Sequence, residues 1–243
     1  SVDLSTSGES LLGYARRILT LNEEAVGRLA ERKIEGVVRL GVMDDYGACI
    51  VPPLLASFLA SYPRIHVEME TGLTSSMPAR LGAAYDIVIA MHAEGCREGE
   101  FLRREQAVWA TSASVAVEQQ EPLPVALYPQ GCLFRKWATE ALDAARRPWR
   151  LAFVSHSLAA VEAIAAQGLA VTVVKTGTFP PRLRLLSDHH GLPRLPAADI
   201  CLHRAANLSA AGSLLADHLR SEISKRRDEV SLRRKTDSVV PVA

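Results

Sequence analysis

This chain lacks the marks of a metal framework, a membrane anchor or a nucleotide cradle. Only four of its 243 residues are cysteine. Cys49, Cys96, Cys132 and Cys201 are widely spaced and form no C-x-x-C pair, which excludes a sequence-visible zinc framework and fits a reducing, cytoplasmic setting. No apolar run is long enough to cross a bilayer, and no charged-then-apolar leader opens the chain, so no membrane partner is expected. The formal net charge is only +1, which argues against a surface that grips nucleic acid over its whole extent. G-x-S-x-G, G-x-x-x-x-G-K and H-E-x-x-H are all missing, so the common hydrolase, nucleotide and metalloprotease signatures fail. "DHH" (Asp188, His189, His190) is similar to a metal phosphoesterase motif, but the strand-end aspartates are absent and "GLPRLP" follows. A loop is the better reading. No catalytic constellation, cofactor or metal is expected.

What is present is an ordinary globular composition, 48% hydrophobic and 23% charged, with room for one large domain or two small ones. The chain begins with a long helix. Thr6 and Glu9 make a capping box, Arg32 and Lys33 suit the last turn, and Gly36 suits the residue just past the end. Such a helix is roughly 40 Å long at 1.5 Å per residue. Leu12, Ala15, Leu19, Val26 and Leu29 fall on a 3-4 spacing with Asn22 in the polar slot, the pattern of a helix–helix seam. An amphipathic helix lying on its own domain is the alternative, but one helix of this length outruns a single compact core. Residues 1–36 are therefore expected to drive self-association, as a homodimer or homotetramer.

After Gly36 strands and helices alternate. "VVRLGV" is a strand and "GACIVPPLLASFLASYP" a helix. In "RIHVEMET" Ile65, Val67 and Met69 alternate with polar residues, the period of a half-buried strand. "SSMPARLGAA" reads as a short helix and "DIVIA" as a central parallel strand. "PVALYP", "FRKWATEALDAARR", "WRLAFVS", "SLAAVEAIAAQG" and "LAVTVV" repeat the scheme. The stretches 101–117 and 198–205 are suited to cross between the two units, and 208–225 closes the first with a helix. The fold class is α/β: two Rossmann-like βαβαβ subdomains joined by two crossover strands behind the leading helix. One two-part α/β domain is expected over 37–225, with subdomain I about 37–112 and 205–225 and subdomain II about 113–204. A polar tail over 226–243 has a basic bias.

These residues resemble the LysR-type transcriptional regulators. "LSTSGESLLGYARRILTLNEEA" resembles the family's linker helix, "GVVRLGV" with "VPPLLASFLASYPRIHVEMETG" the start of its effector-binding domain, and "YDIVIA" the third strand. "SLAAVEAIAAQGLAVTVV" resembles the matching part of the second subdomain, and "FRKWATEALDAARRPWRLAFVSHSLAAV" is most similar to the LrhA/PecT/HexA branch. The resemblance spans roughly residues 3 to 224. It implies a periplasmic-binding-protein-like fold and a cleft for an unidentified small-molecule effector. It also implies DNA as a partner through a winged helix-turn-helix, which is expected before the linker helix and outside these residues. A periplasmic solute-binding protein shares the fold and is the alternative.

In such a fold ligands collect at the carboxyl ends of the strands. The expected cleft residues are Met43, Asp44, Asp45, Tyr46, Thr74, Ser75 and Met91, with His92 beside them, from the first half. The second half offers Gln130, Ser155, His156, Ser157 and Lys175. By the resemblance, Met43, Asp45, Tyr46, Met91, His156 and Lys175 occupy effector-contacting positions. Taken singly, Asp44 or Asp45 as a helix cap, Ser157 as the next cap and Tyr46 as packing are equally good readings. Two carboxylates at the first helix N-terminus repel an added anion, so a neutral, amphipathic or cationic ligand, or no ligand at all, fits better than a dicarboxylate. Lys175 is placed to pair with one of them. Cys132, at the start of the next helix, is expected to be a quiet thiol, although a helix N-terminus favours a thiolate.

Overall fold

The structure, a computed structural model, describes residue 11 and residues 34–237 apart from 96 and 187. The expected seam of Leu12, Ala15, Leu19, Asn22, Val26 and Leu29 lies outside the described residues.

The first lobe begins with β1 (Gly36–Met43), which lies between β2 (Ile65–Gly72) and β3 (Ile87–Ala93) and is parallel to both. Val38, Leu40 and Val42 alternate along β1 and are fully buried in one core. β2 is the edge strand. Its alternation survives but fades outward, from Ile65 in the core to the exposed Met69. The single helix expected after β1 is two: α1 (Asp44–Cys49) and α2 (Val51–Ser61). Pro52 and Pro53 explain the break, because neither ring nitrogen can donate back into α1, whereas the first turn of a new helix needs no such donor. The short helix expected over 75–84 shrinks to one 3₁₀ turn, Pro78–Arg80, followed by Gly82 at φ 78°.

β4 (Glu100–Ser112) leads into the second lobe: β5 (Leu123–Leu127), α3 (Leu133–Ala144), β6 (Trp149–Val154), α4 (Leu158–Ala166), β7 (Thr172–Lys175) and β8 (Leu183–Leu186). Ser157 caps α4 by accepting from the Ala160 N–H, and Gly168 ends the segment at φ 70°, where a side chain would collide with Val115. β5 and β6 are parallel, and Val171, just ahead of β7, bridges Val125. β9 (Ala197–Arg204) then returns to the first lobe, and α5 (Ala210–Asp237) covers it with Leu215, Leu219 and Ile223 fully buried. α5 runs past residue 225, into the stretch read from sequence as a tail. That stretch contains no glycine or proline before Asp237 to stop it.

The two lobes share their strands. Glu100–Gln106 of β4 pair with β9, while Ala107–Ser112 pair with β7 and β8. β9 in turn pairs antiparallel with β3. One mixed sheet, ordered β2-β1-β3-β9-β4-β7, thus runs from lobe to lobe. Each lobe keeps its own apolar core, and Met91 packs against both.

On the face of β3 and β9 away from the first core, the His92 and His203 Nε2 atoms lie 2.8 Å apart. Burial first and the neighbouring His92 second hold His203 below the usual histidine range, with Glu98 opposing. Between that lowered pKa and the unfolded value of about 6.5, the folded chain binds fewer protons than the unfolded one, so stability falls as pH falls. Thermal midpoints measured from about pH 7.5 down to about pH 5 are expected to drop more steeply in the wild type than in His203→Asn. Equal slopes would contradict this.

Candidate functional site

α1 starts where β1 ends. Met43 is its N-cap residue, extended at φ −67° and ψ 147° with no side-chain capping bond, and Asp44 and Asp45 occupy the first turn. The expected cap by an aspartate side chain is therefore not made. Both carboxylates are left to face the space between the lobes, a cavity of about 690 Å³ including its open mouth. The first lobe lines it with Met43, Asp44, Asp45, Gly72, Leu73, Thr74, Ser75 and Met91. From the second lobe come Tyr128, Gly131, Cys132, Leu133, Phe134, Leu158 and Glu162, then Val173, Val174, Lys175 and Thr178 around the end of β7.

Polar contacts tie the two walls together. The Lys175 ammonium, 3% exposed, lies 2.6 Å from one Asp45 oxygen and donates to the other at 2.8 Å. The Thr178 hydroxyl donates to the same carboxylate. Lys175 Nζ also sits 5.4 Å from the Tyr46 ring centre and 5.3 Å from that of Phe134, within cation–π range. Beneath this pair Tyr46 is fully buried, and its hydroxyl donates 2.9 Å to Glu105 Oε1. Glu105 also receives Arg103 at 2.7 Å and the Gly177 N–H at 2.7 Å. Residue 177 has to be glycine here, since a Cβ would collide with the Glu105 carboxylate. Burial, with Glu105 next, pushes the Tyr46 phenol well above its ordinary range and keeps it a donor.

The expected site residues thus divide. Met43, Asp44, Asp45, Thr74, Ser75, Met91 and Lys175 line the cavity, and Lys175 pairs with Asp45 as its position suggested. Tyr46 lies below the floor. Gln130, Ser155 and His156 do not line it. In the turn closed by Cys132 N–H to the Pro129 carbonyl, Gly131 takes φ 90°, which turns Gln130 out to solvent and presents Gly131 and Cys132 instead. The Ser155 hydroxyl accepts from the Ser157 N–H, and His156 is exposed on the same turn. His92 points away toward His203. Thr74 is partly spent, accepting from the Met91 N–H at 3.3 Å.

The residues that sequence reasoning missed are chiefly apolar or aromatic, and only Glu162 carried a legible signal: it lies one turn after Leu158 on the helix that starts at the cleft. Burial, then Asp45, raises the Glu162 pKa. Burial and the Asp45 and Asp44 carboxylates push Tyr128 strongly upward. The Cys132 thiol is also raised, because burial outweighs the Arg135 and Phe134 N–H groups that favour the thiolate at the start of α3. No group of three or more metal-ligating side chains occurs among the described residues.

Two α/β lobes joined by crossing strands, with a mixed polar and apolar cleft at the strand ends, define a ligand-binding domain of the periplasmic-binding-protein type. The profile of the LysR substrate binding domain matches residues 31–224. The chain belongs to the LysR family of transcriptional regulators, and these residues are its effector-binding domain. It is 33% identical over 225 residues to the HTH-type transcriptional regulator DgdR of Burkholderia cepacia, covering 90% of this chain and 76% of that protein. It is 30% identical over 194 residues to PecT of Dickeya dadantii, covering 79% of this chain and 61% of PecT, which agrees with the branch read from sequence. The effector binding domain of QuiR, solved in complex with shikimate, superposes with a TM-score of 0.60 at 15% identity, over 79% of this chain and 99% of that one. The solute-binding alternative is not better supported, since the named relatives are transcriptional regulators.

Removing one partner of the cross-cleft pair has unequal costs. Asp45→Ala leaves the Lys175 ammonium buried and uncompensated, a loss of about 3 kcal/mol. Lys175→Met leaves Asp45, whose side chain is 15% exposed, with the Thr178 hydroxyl as its remaining donor, and is expected to cost less than Asp45→Ala. Denaturant unfolding of the two variants tests the order, and a Lys175→Met protein less stable than Asp45→Ala would contradict it.

Proposed function

We propose that a small molecule entering the cleft changes how the two lobes sit against each other, and that this alters the arrangement of subunits on DNA. The regulator would act in the cytoplasm as a homodimer or homotetramer and reach DNA through a winged helix-turn-helix outside these residues. The observation that carries this reading is the contact of Asp45 in the first lobe with Lys175 and Thr178 in the second. A ligand in that space competes with or reinforces those contacts, so it binds the lobe arrangements unequally, which is the thermodynamic requirement for any switch. The named relatives DgdR and PecT are HTH-type transcriptional regulators, and no helix among the described residues is long and apolar enough to cross a membrane.

The test is a metabolite library screened by thermal shift on the wild type and on Ser75→Trp. Ser75 is exposed at the mouth, and its Oγ lies 3.9 Å from where a Cβ at Gly131 would stand, so an indole there plugs the opening without touching either core. A ligand at a hundred times its Kd stabilises the fold by about 2.7 kcal/mol. Compounds that raise the wild-type midpoint are expected to leave Ser75→Trp unmoved. Hits that stabilise both proteins equally would show that the ligand site lies outside the cleft.

A further inference from the structure

The walls of the cleft carry three carboxylates, Asp44, Asp45 and Glu162, against one ammonium, Lys175. That ammonium is already engaged. It is bonded to Asp45, which Thr178 also satisfies. Asp44 and Glu162 have neither an ion pair nor a hydrogen bond among the described residues. An anionic guest would meet no free cation on the lining, and capturing Lys175 would strand Asp45 beside Asp44. A neutral guest would leave the Asp44 and Glu162 carboxylates without a partner, and burial first and Asp45 second already raise the Glu162 pKa. The wall also shows what it tolerates. The Lys175 ammonium rests on one carboxylate, two aromatic rings and the Met43 sulfur at 3.5 Å. The remaining surface, Met91, Leu133, Leu158, Val173 and Phe134, is apolar and suits a hydrocarbon body.

Resting on the effector-cleft reading above, we propose that this cleft takes an organic ammonium cation with a compact apolar body. The charged head lies between Asp44 and Glu162 and donates to the Tyr128 hydroxyl. The body lies against Met91, Leu133 and Val173. Specificity comes from charge at the head, where an ammonium compensates the two unpaired carboxylates and a carboxylate or hydroxyl does not. The apolar body adds affinity without discriminating between heads.

Three compounds with one body and different heads, hexylamine, hexanol and hexanoate, are titrated calorimetrically at neutral pH and low salt into the wild type, Ser75→Trp, and the double variant Asp44→Asn with Glu162→Gln. Hexylamine is expected to bind about tenfold more tightly than hexanol, with hexanoate weakest. The double variant should bind hexylamine and hexanol alike, hexanol keeping its wild-type affinity, which reports an intact cleft. Ser75→Trp should abolish all three. Equal wild-type affinities for hexylamine and hexanol, tighter binding of hexanoate, or no binding of hexylamine would overturn the ligand class. If a hexanoate preference disappears in Ser75→Trp, the class fails and the cleft reading stands. If hexylamine binds Ser75→Trp as well as the wild type, the site lies elsewhere and both fail.

Discussion

The buried carboxylate of Glu105 pins the two lobes together. It sits on β4, two residues before Ala107, where the strand changes partners from β9 to β7, and is 1% exposed. A charge so buried is tolerable only when its lone pairs are satisfied. Here an arginine two residues away, a tyrosine from α1 and a backbone N–H from the segment after β7 supply the donors. Those donors come from both lobes. The cost of leaving Glu105 unsatisfied therefore holds α1 of one lobe against residues 176–178 of the other.

The cleft follows from that junction. With Tyr46 anchored from below, Asp44 and Asp45 at the start of α1 are held against the end of β7, and Lys175 and Thr178 close on Asp45. The apolar cores lie to either side and are separate, so the contact between lobes at the cleft is made largely by polar groups. Polar contacts of this kind have sharp geometric demands, and an occupant of the space can compete with them. A continuous apolar core would not be open to such competition. Met91, which packs against both cores, lines the same cavity.

Much of this was legible from residue spacing. Period-two alternation located β2, a continuous apolar run located β3, and Gly168 marked the end of α4. Strand-end reasoning brought Met43, Asp44, Asp45, Thr74, Ser75, Met91 and Lys175 to one cavity, because the carboxyl ends of parallel strands necessarily converge. It failed where a turn rather than a strand sets the direction of a side chain. Gln130, Ser155 and His156 are close in sequence to cleft residues, but the left-handed Gly131 and the Ser155–Ser157 turn point them away. The break between α1 and α2 was masked by an unbroken apolar run, although Pro52 and Pro53 were there to be read. The Glu105 junction had no sequence signal, since an arginine and a glutamate in a strand read as solvent-facing until the second lobe is folded over them.

Amide hydrogen exchange, with and without the compound that gives the largest thermal shift, tests the central claim that the cleft couples the two lobes. The predicted result is added protection at residues 44–47 and 175–178 together, including the Gly177 amide that donates to Glu105. Protection confined to one lobe, or gained only at amides remote from these two segments, would contradict it.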